Sequence, residues 1–227
     1  MVLLVKEMKT KRKGYYRDNE VKRSIEKFEI LSTEQIYVLH FSNIKCIEYG
    51  LNKTRERMRK MRGVKKRRLD FRLPTFYYME GKSKMNNAIH DVNRNWGFIY
   101  LIKLHQDKYR FDSLRIEYVI GNVRSDGFLR LCRYIDDKDV VYYFVESDMS
   151  GSKNKFDKIS KYNELFRSKG YIGEDWVRDV KHFPHVLIVI DGEGKRREIE
   201  DKIKKENIEG LEFIVLSVDE IKTRLGY

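Results

Sequence analysis

The sequence predicts an α+β protein of two domains, and three observations carry that prediction. Residues 1 to 84 hold 23 Lys and Arg against 10 Asp and Glu, while the remainder holds 25 of each, so the formal charge of +13 belongs entirely to the N-terminal third. At Met85 the hydrophobic rhythm changes, from short helices closed by a hairpin to alternating strands and helices. The composition, 41% apolar and 13% aromatic over 227 residues, is enough to fill two modest cores.

Residues 1 to 20, with the basic run Lys9, Lys11, Arg12 and Lys13 and no sustained period, read as a flexible basic arm. A domain spanning 21 to 84 follows, its pattern becoming helical at Val21. Leu31-Ser32-Thr33-Glu34-Gln35 is a capping box, with Ser32 as N-cap and Gln35 at N3, and opens a helix running to about Phe41. Ser42 and Asn43 offer a second start and Gly50 a stop, enclosing a short helix with Ile44 and Ile47 on one side. Asn52 caps a third helix, Lys53 to Arg62, closed by Gly63. There Leu51, Thr54, Met58 and Met61 fall on one buried face, and Lys53, Arg55, Arg57, Arg59, Lys60 and Arg62 occupy the others. An apolar stripe backed by that much positive charge suits a DNA major groove, where Arg addresses guanine edges or phosphates. Lys65, Lys66, Arg67 and Arg68 extend the basic run into an alternating strand, Pro74-Thr75 makes a turn, and Phe76, Tyr77 and Tyr78 begin the returning strand. Helices followed by a basic hairpin define a winged helix-turn-helix. No aromatic RNP-like strand or GxxG loop points to RNA instead.

Residues 85 to 227 read as a second, α/β domain. Asn86 to about Lys108 is helical, and Leu114 to Ile120, Gly127 to Tyr134 and Val140 to Val145 are consecutive strands separated at Gly121–Ser125 and Asp136–Asp139. Phe156, Ile159, Tyr162 and Phe166 form an apolar stripe on a helix after Gly151. His185 to Ile190 is a buried strand, Lys195 to Glu206 a charged helix, and Leu211 to Leu216 a last buried strand. The order α-β-β-β-α-β-α-β makes a mixed sheet flanked by helices.

Cys46 and Cys132 lack the spacing of a zinc site or disulfide scaffold and read as reduced, buried thiols. His182 and His185, in HFPH, are better placed in a loop before a strand than on a metal. Without a membrane-length apolar run or a signal-peptide core, the chain reads as cytoplasmic. Three acidic positions invite a chemical reading: Glu117 in the first strand, Asp126 opening the second, and Glu146-Ser147-Asp148 closing the third. Carboxylates converging from adjacent strand ends supply the hard oxygens that Mg²⁺ or Mn²⁺ requires, and such an ion stabilises charge on a scissile phosphate. Taken one at a time, acids at strand ends and turns are also ordinary surface residues.

SDGFLRL, then YYFVESD, then a lysine-rich helix resembles the PD-(D/E)XK nuclease-like core, the restriction-endonuclease-like fold. The resemblance implies Asp126 as the motif Asp and Glu146 as the motif Glu; the slot of the motif lysine holds Asp148, which leaves Lys155 or Lys158 on the following helix to supply that charge. With LSTEQIYVLHF ahead of a basic helix, a hairpin ending in FYYMEG, and HDVNRNW before the strands, residues 25 to about 170 resemble the replication-relaxation family. Its members are winged-helix proteins of plasmids, phages and conjugative elements, mainly of Gram-positive bacteria, in which ExD in place of ExK is familiar. The resemblance implies plasmid replication, transfer or its control.

Three functions compete. The first is a protein that binds double-stranded DNA without cofactor, its second domain a scaffold for strand contacts or for replication or conjugation proteins. The second is a Mg²⁺- or Mn²⁺-dependent endonuclease or nickase using Asp126 and Glu146, with Glu117, Asp148 or Lys158 in support. The third is a repressor dimerised through its C-terminal domain.

Overall fold

In the computed structural model, residues 16–71, 73–81, 87–136, 139–149, 156–179 and 182–227 are described. They form an α+β protein of two compact units, residues 1–88 with Tyr227 and residues 89–226.

In the first unit, α1 covers residues 16–28 and buries Val21, Ile25 and Phe28, one stripe at i, i+4 and i+7. Glu29, in the left-handed region at φ 65°, ends it. The arm expected over residues 1–20 is thus helical from residue 16; its first fifteen residues lie outside those described. β1 (Ile30–Ser32) leads into α2 (Thr33–His40), where the capping box forms as the sequence predicts: Gln35 N donates to Ser32 Oγ at 3.1 Å, and Ser32 N to Gln35 Oε1 at 2.9 Å.

The next two expected helices are one. α3 runs Ile47–Arg59 through both Gly50, expected as a stop, and Asn52, expected as a cap. Gly50 sits in the helix because Tyr37 lies against it: a Cβ there would stand 2.2 Å from Tyr37 Cε2. Close approach of α2, not chain reversal, selects the glycine. Thr54, Met58 and Met61 are buried as predicted, with Leu51 half-buried. Cys46, expected inside, precedes α3 and is exposed, whereas Cys132 is buried. β2 (Val64–Arg67) and β3 (Phe76–Met79) pair antiparallel, and β1 joins the other edge of β3, giving the order β1-β3-β2.

The second unit is built on a five-stranded mixed sheet. α4 (Ala88–His105) precedes β4 (Tyr109–Ile120), β5 (Val123–Arg133) and β6 (Val140–Asp148), an antiparallel meander. α5 (Lys158–Ser168) and a 3₁₀ turn at Asp175–Arg178 lead to β7 (His185–Ile190), parallel to β6; α6 (Glu193–Glu206) leads to β8 (Phe213–Ser217), parallel to β7. Strand order is β4-β5-β6-β7-β8. α7 (Val218–Arg224), which the periodicity did not reveal, follows β8 through a second capping box on Ser217 and Glu220.

α4 lies tight on one face of the sheet. A Cβ at Gly97 would come within 2.7 Å of Val189 Cγ2, and one at Gly127 within 2.0 Å of Phe98 Cζ, so both glycines are required by close packing. The other face carries the main apolar cluster, in which Phe128, Phe144 and Ile188 of the sheet meet Ile159 and Tyr162 of α5 and Ile199 of α6. β4 starts five residues before its expected Leu114, and β6 runs three residues beyond Val145. The first alternates over Tyr109 to Asp112 but is set off from the rest of β4 by a register shift between Phe111 and Ser113, and the second is the polar run Glu146-Ser147-Asp148.

Candidate functional site

In the second unit the β5–β6 ladder stops at the pair Gly127–Val145, and side chains take over the backbone groups beyond it. Ser147 N donates to Asp126 Oδ2 at 2.8 Å, Asp126 N to Glu146 Oε2 at 3.4 Å, and Ser125 Oγ to the carbonyls of Gly127 at 2.8 Å and Val145 at 3.3 Å. Where the strands part, the Asp126 and Glu146 carboxylates are therefore drawn to one spot.

α5 closes over it. Lys158, its first residue, donates from Nζ to Glu146 Oε2 at 3.0 Å and to the carbonyl of Arg124. One turn later Tyr162 donates its hydroxyl to Glu146 Oε1 at 2.6 Å. From α4, His90 brings Nε2 to 3.3 Å from Asp126 Oδ2, with Asp91 at 3.8 Å from its Nδ1. The cluster thus holds two carboxylates, an ammonium and an imidazole.

Burial and neighbouring charges together set the protonation states. Glu146 is fully buried, and that burial, with the Asp126 charge beside it, pushes its carboxyl up to about 7 against the pull of Lys158 and Tyr162. Burial also works against the Asp126 carboxylate, but its hydrogen bond from His90, aided by Lys158 and the Ser147 amide, prevails and holds it below the usual range. The Asp126 carboxylate in contact with it, and that of Asp91 beside it, raise His90 to about 10, so at neutral pH it is an imidazolium.

The remaining acidic candidates stand elsewhere. Glu117, in the left-handed region at φ 53°, points to solvent and meets Arg124 at 2.8 Å. Asp148, two residues past Glu146, is buried and paired at 3.1 Å with Lys195 of α6, and burial raises its carboxyl despite that partner. Lys155 lies outside the described residues. His185 Nδ1 lies 2.8 Å from a Glu212 carboxylate oxygen, and its ring is stacked on Tyr143. Sequence reasoning missed His90, Tyr162 and Lys195. The spacing of Lys158 and Tyr162, i and i+4, was a readable sign that both face one point, but Tyr162 also fits the apolar stripe.

A divalent ion, which an active nuclease of this kind implies, does not fit the site in this arrangement. Both Glu146 oxygens and Asp126 Oδ2 already accept bonds, two of the donors are cationic, and among the described residues no group of three His, Cys, Asp or Glu side chains is placed to hold a metal.

The second candidate surface is the basic one of the first unit. Arg55, Arg59, Lys60, Arg62, Lys65, Lys66, Arg67 and Arg68 are exposed, Lys53 and Arg57 half-exposed. Arg57 is committed elsewhere: its guanidinium grips the Asp18 carboxylate of α1 with Nε and Nη2, both at 2.5 Å. Lys53 pairs with Glu56 at 2.9 Å, Lys65 with Glu80 at 2.8 Å, and Arg55 reaches Asn52 at 2.8 Å, all at the surface. Arg68 turns inward on its own loop, donating to the carbonyls of Asp70 at 3.1 Å and Leu73 at 3.2 Å and to that of Phe71.

Compared with protein-family models, with curated proteins and with solved structures, the chain matches none of them. Among the described residues no helix is long and apolar enough to cross a membrane.

Proposed function

We propose that the protein binds duplex DNA through α3 and the β2–β3 hairpin of a winged-helix unit, and that its second unit is a PD-(D/E)XK-like domain acting as a scaffold rather than a nuclease. One observation carries the reading. Arg55, Arg59, Lys60 and Arg62, in the C-terminal half of α3 and just beyond it, and Lys65 to Arg67 along β2 are exposed, while Thr54, Met58 and Met61 on the inner face are buried. A helix and ribbon so divided can present fixed cations to phosphates and groove edges, whereas in isolation the like charges repel. The order α1-β1-α2-α3-β2-β3 with a three-stranded antiparallel sheet supports the winged-helix assignment. The resemblance to the replication-relaxation family extends the proposal to plasmid replication, transfer or its control in the cytoplasm.

The test is binding of short fluorescent duplexes at low salt. Arg55→Ala combined with Arg59→Ala weakens affinity by about tenfold or more, as loss of two phosphate contacts should. Unchanged affinity removes the proposal.

Lys158 favours a second reading. Its ammonium lies 3.0 Å from Glu146, beside Asp126, and supplies from α5 the charge that position 148 lacks. For cleavage, a metal would have to displace His90 from Asp126. Supercoiled, linear and single-stranded DNA incubated with Mg²⁺ or Mn²⁺ decide the matter: cutting by the wild type that Asp126→Ala, Glu146→Ala and Lys158→Ala each abolish establishes the enzyme, and no cutting leaves the scaffold.

A further inference from the structure

The basic strip of β2 ends in a feature that charge alone does not explain. Leu69 is 39% exposed and Phe71 73% exposed, next to Lys65, Lys66, Arg67 and Arg68. At that exposure, burial explains little of why a large aromatic ring stands beside a basic strand. Backbone groups on either side of it are nevertheless held by hydrogen bonds. The Arg68 guanidinium gathers the carbonyls of Asp70, Phe71 and Leu73, and Leu73 N donates to Asp70 O at 3.2 Å. An arginine spent on holding backbone carbonyls is a cost that a purely electrostatic wing would not bear, since the same side chain could contact a phosphate.

We propose that Phe71, with Leu69 beside it, is an apolar wedge that enters a base step of bound duplex DNA and kinks it, Arg68 acting as the positioning residue. The proposal rests on the duplex-binding reading above. An aromatic side chain replaces the stacking it interrupts, and the preceding cations Lys65, Lys66 and Arg67 neutralise the phosphates brought together by the bend. A step that unstacks readily, such as TA, is the favoured place of entry. The occupant is duplex DNA because the apolar tip is the end of a run of four consecutive basic residues, and such a surface is complementary to a polyanion with an apolar interior.

The full-length protein is tested with short mixed-sequence duplexes containing a TA step, one set carrying a fluorescent base analogue at that step and another carrying a donor and acceptor at the ends. Wild type raises the base-analogue signal, reports unstacking, and shortens the end-to-end distance. Phe71→Ala loses most of both changes and about tenfold in affinity, while Phe71→Leu retains part of each. Because Phe71 is exposed, circular dichroism of the variants matches wild type. Arg68→Ala also loses the bend, whereas Arg55→Ala with Arg59→Ala lowers affinity but still bends the duplex when saturated. Wild-type binding without unstacking or bending overturns the wedge and leaves the duplex-binding reading standing; so does a Phe71→Ala variant that bends as wild type does. Sedimentation of wild type, but not Phe71→Ala, with anionic vesicles, alongside unchanged bending, assigns the tip to a lipid surface and overturns it too. Absence of duplex binding by wild type removes both readings.

Discussion

At the scale of single residues, Glu146 shows how position overrides residue type. A glutamate is an acid by sequence, yet here its carboxyl is wholly buried between Lys158, Tyr162 and the Asp126 amide, and burial moves it from 4.5 to about 7. Across that interval the folded chain holds a proton that the unfolded chain has released, so stability from this group falls as pH rises from 4.5 to 7. His90 acts in a second window. Raised from 6.5 to about 10, it contributes stability that is complete below 6.5 and lost as pH climbs through 10. Urea titrations at a series of pH values should therefore show Glu146→Gln flattening the profile between 4.5 and 7, and wild type converging on His90→Gln only above 10. Parallel curves for wild type and both variants would show that neither group is linked to folding.

At the scale of elements, the cations of α3 divide in a way that its sequence does not show. Its cations look alike in the sequence, but Arg57 is clamped to Asp18 of α1 while Arg55 and Arg59 are exposed. The Arg57–Asp18 pair is partly exposed, so its worth is discounted to no more than about 1 kcal/mol. Arg57→Ala should lower the urea midpoint and leave duplex affinity nearly unchanged, and Arg55→Ala should do the reverse. Equal losses of affinity in the two variants would mean that the Asp18 pair opens on binding. α5 has a comparable division: Ile159, Leu165 and the Tyr162 ring face the core, whereas Lys158 and the Tyr162 hydroxyl reach Glu146 at the end of β6.

For the whole molecule, the decisive quantity is the distribution of charge. The positive excess lies wholly in residues 1 to 84, and the rest is balanced. If duplex binding is electrostatic, its salt dependence arises from the first unit. A plot of log affinity against log salt should lose about 2 from its slope in the Arg55→Ala, Arg59→Ala variant, about 0.9 for each phosphate contact removed. Lys204→Ala with Lys205→Ala, on the exposed face of α6, should leave the slope unchanged. A fall in slope from the α6 pair would place nucleic acid on the second unit as well.

How much of this was legible follows from the range of the interactions involved. The sequence by itself determined what depends on neighbours along the chain: the capping box at Ser32, the buried stripe Thr54, Met58 and Met61, the β7 strand at His185–Ile190, the alternation of elements in the second unit, and the segregation of charge. These are set by periods of 2 and 3.6 residues and by local hydrogen bonds, which one sequence displays. Only the tertiary structure decided the rest. Gly50 and Asn52 read locally as a stop and a cap, but one helix runs through both, with Gly50 lying under the Tyr37 ring where a side chain would not fit. Asp126, Glu146 and Lys158 were visible as candidates; their meeting, the His90 imidazolium from α4, the departure of Glu117 to Arg124 and the pairing of Asp148 with Lys195 were not. Those relations join residues on different strands and helices, and their energies depend on burial and distance, quantities that exist only once the chain has folded.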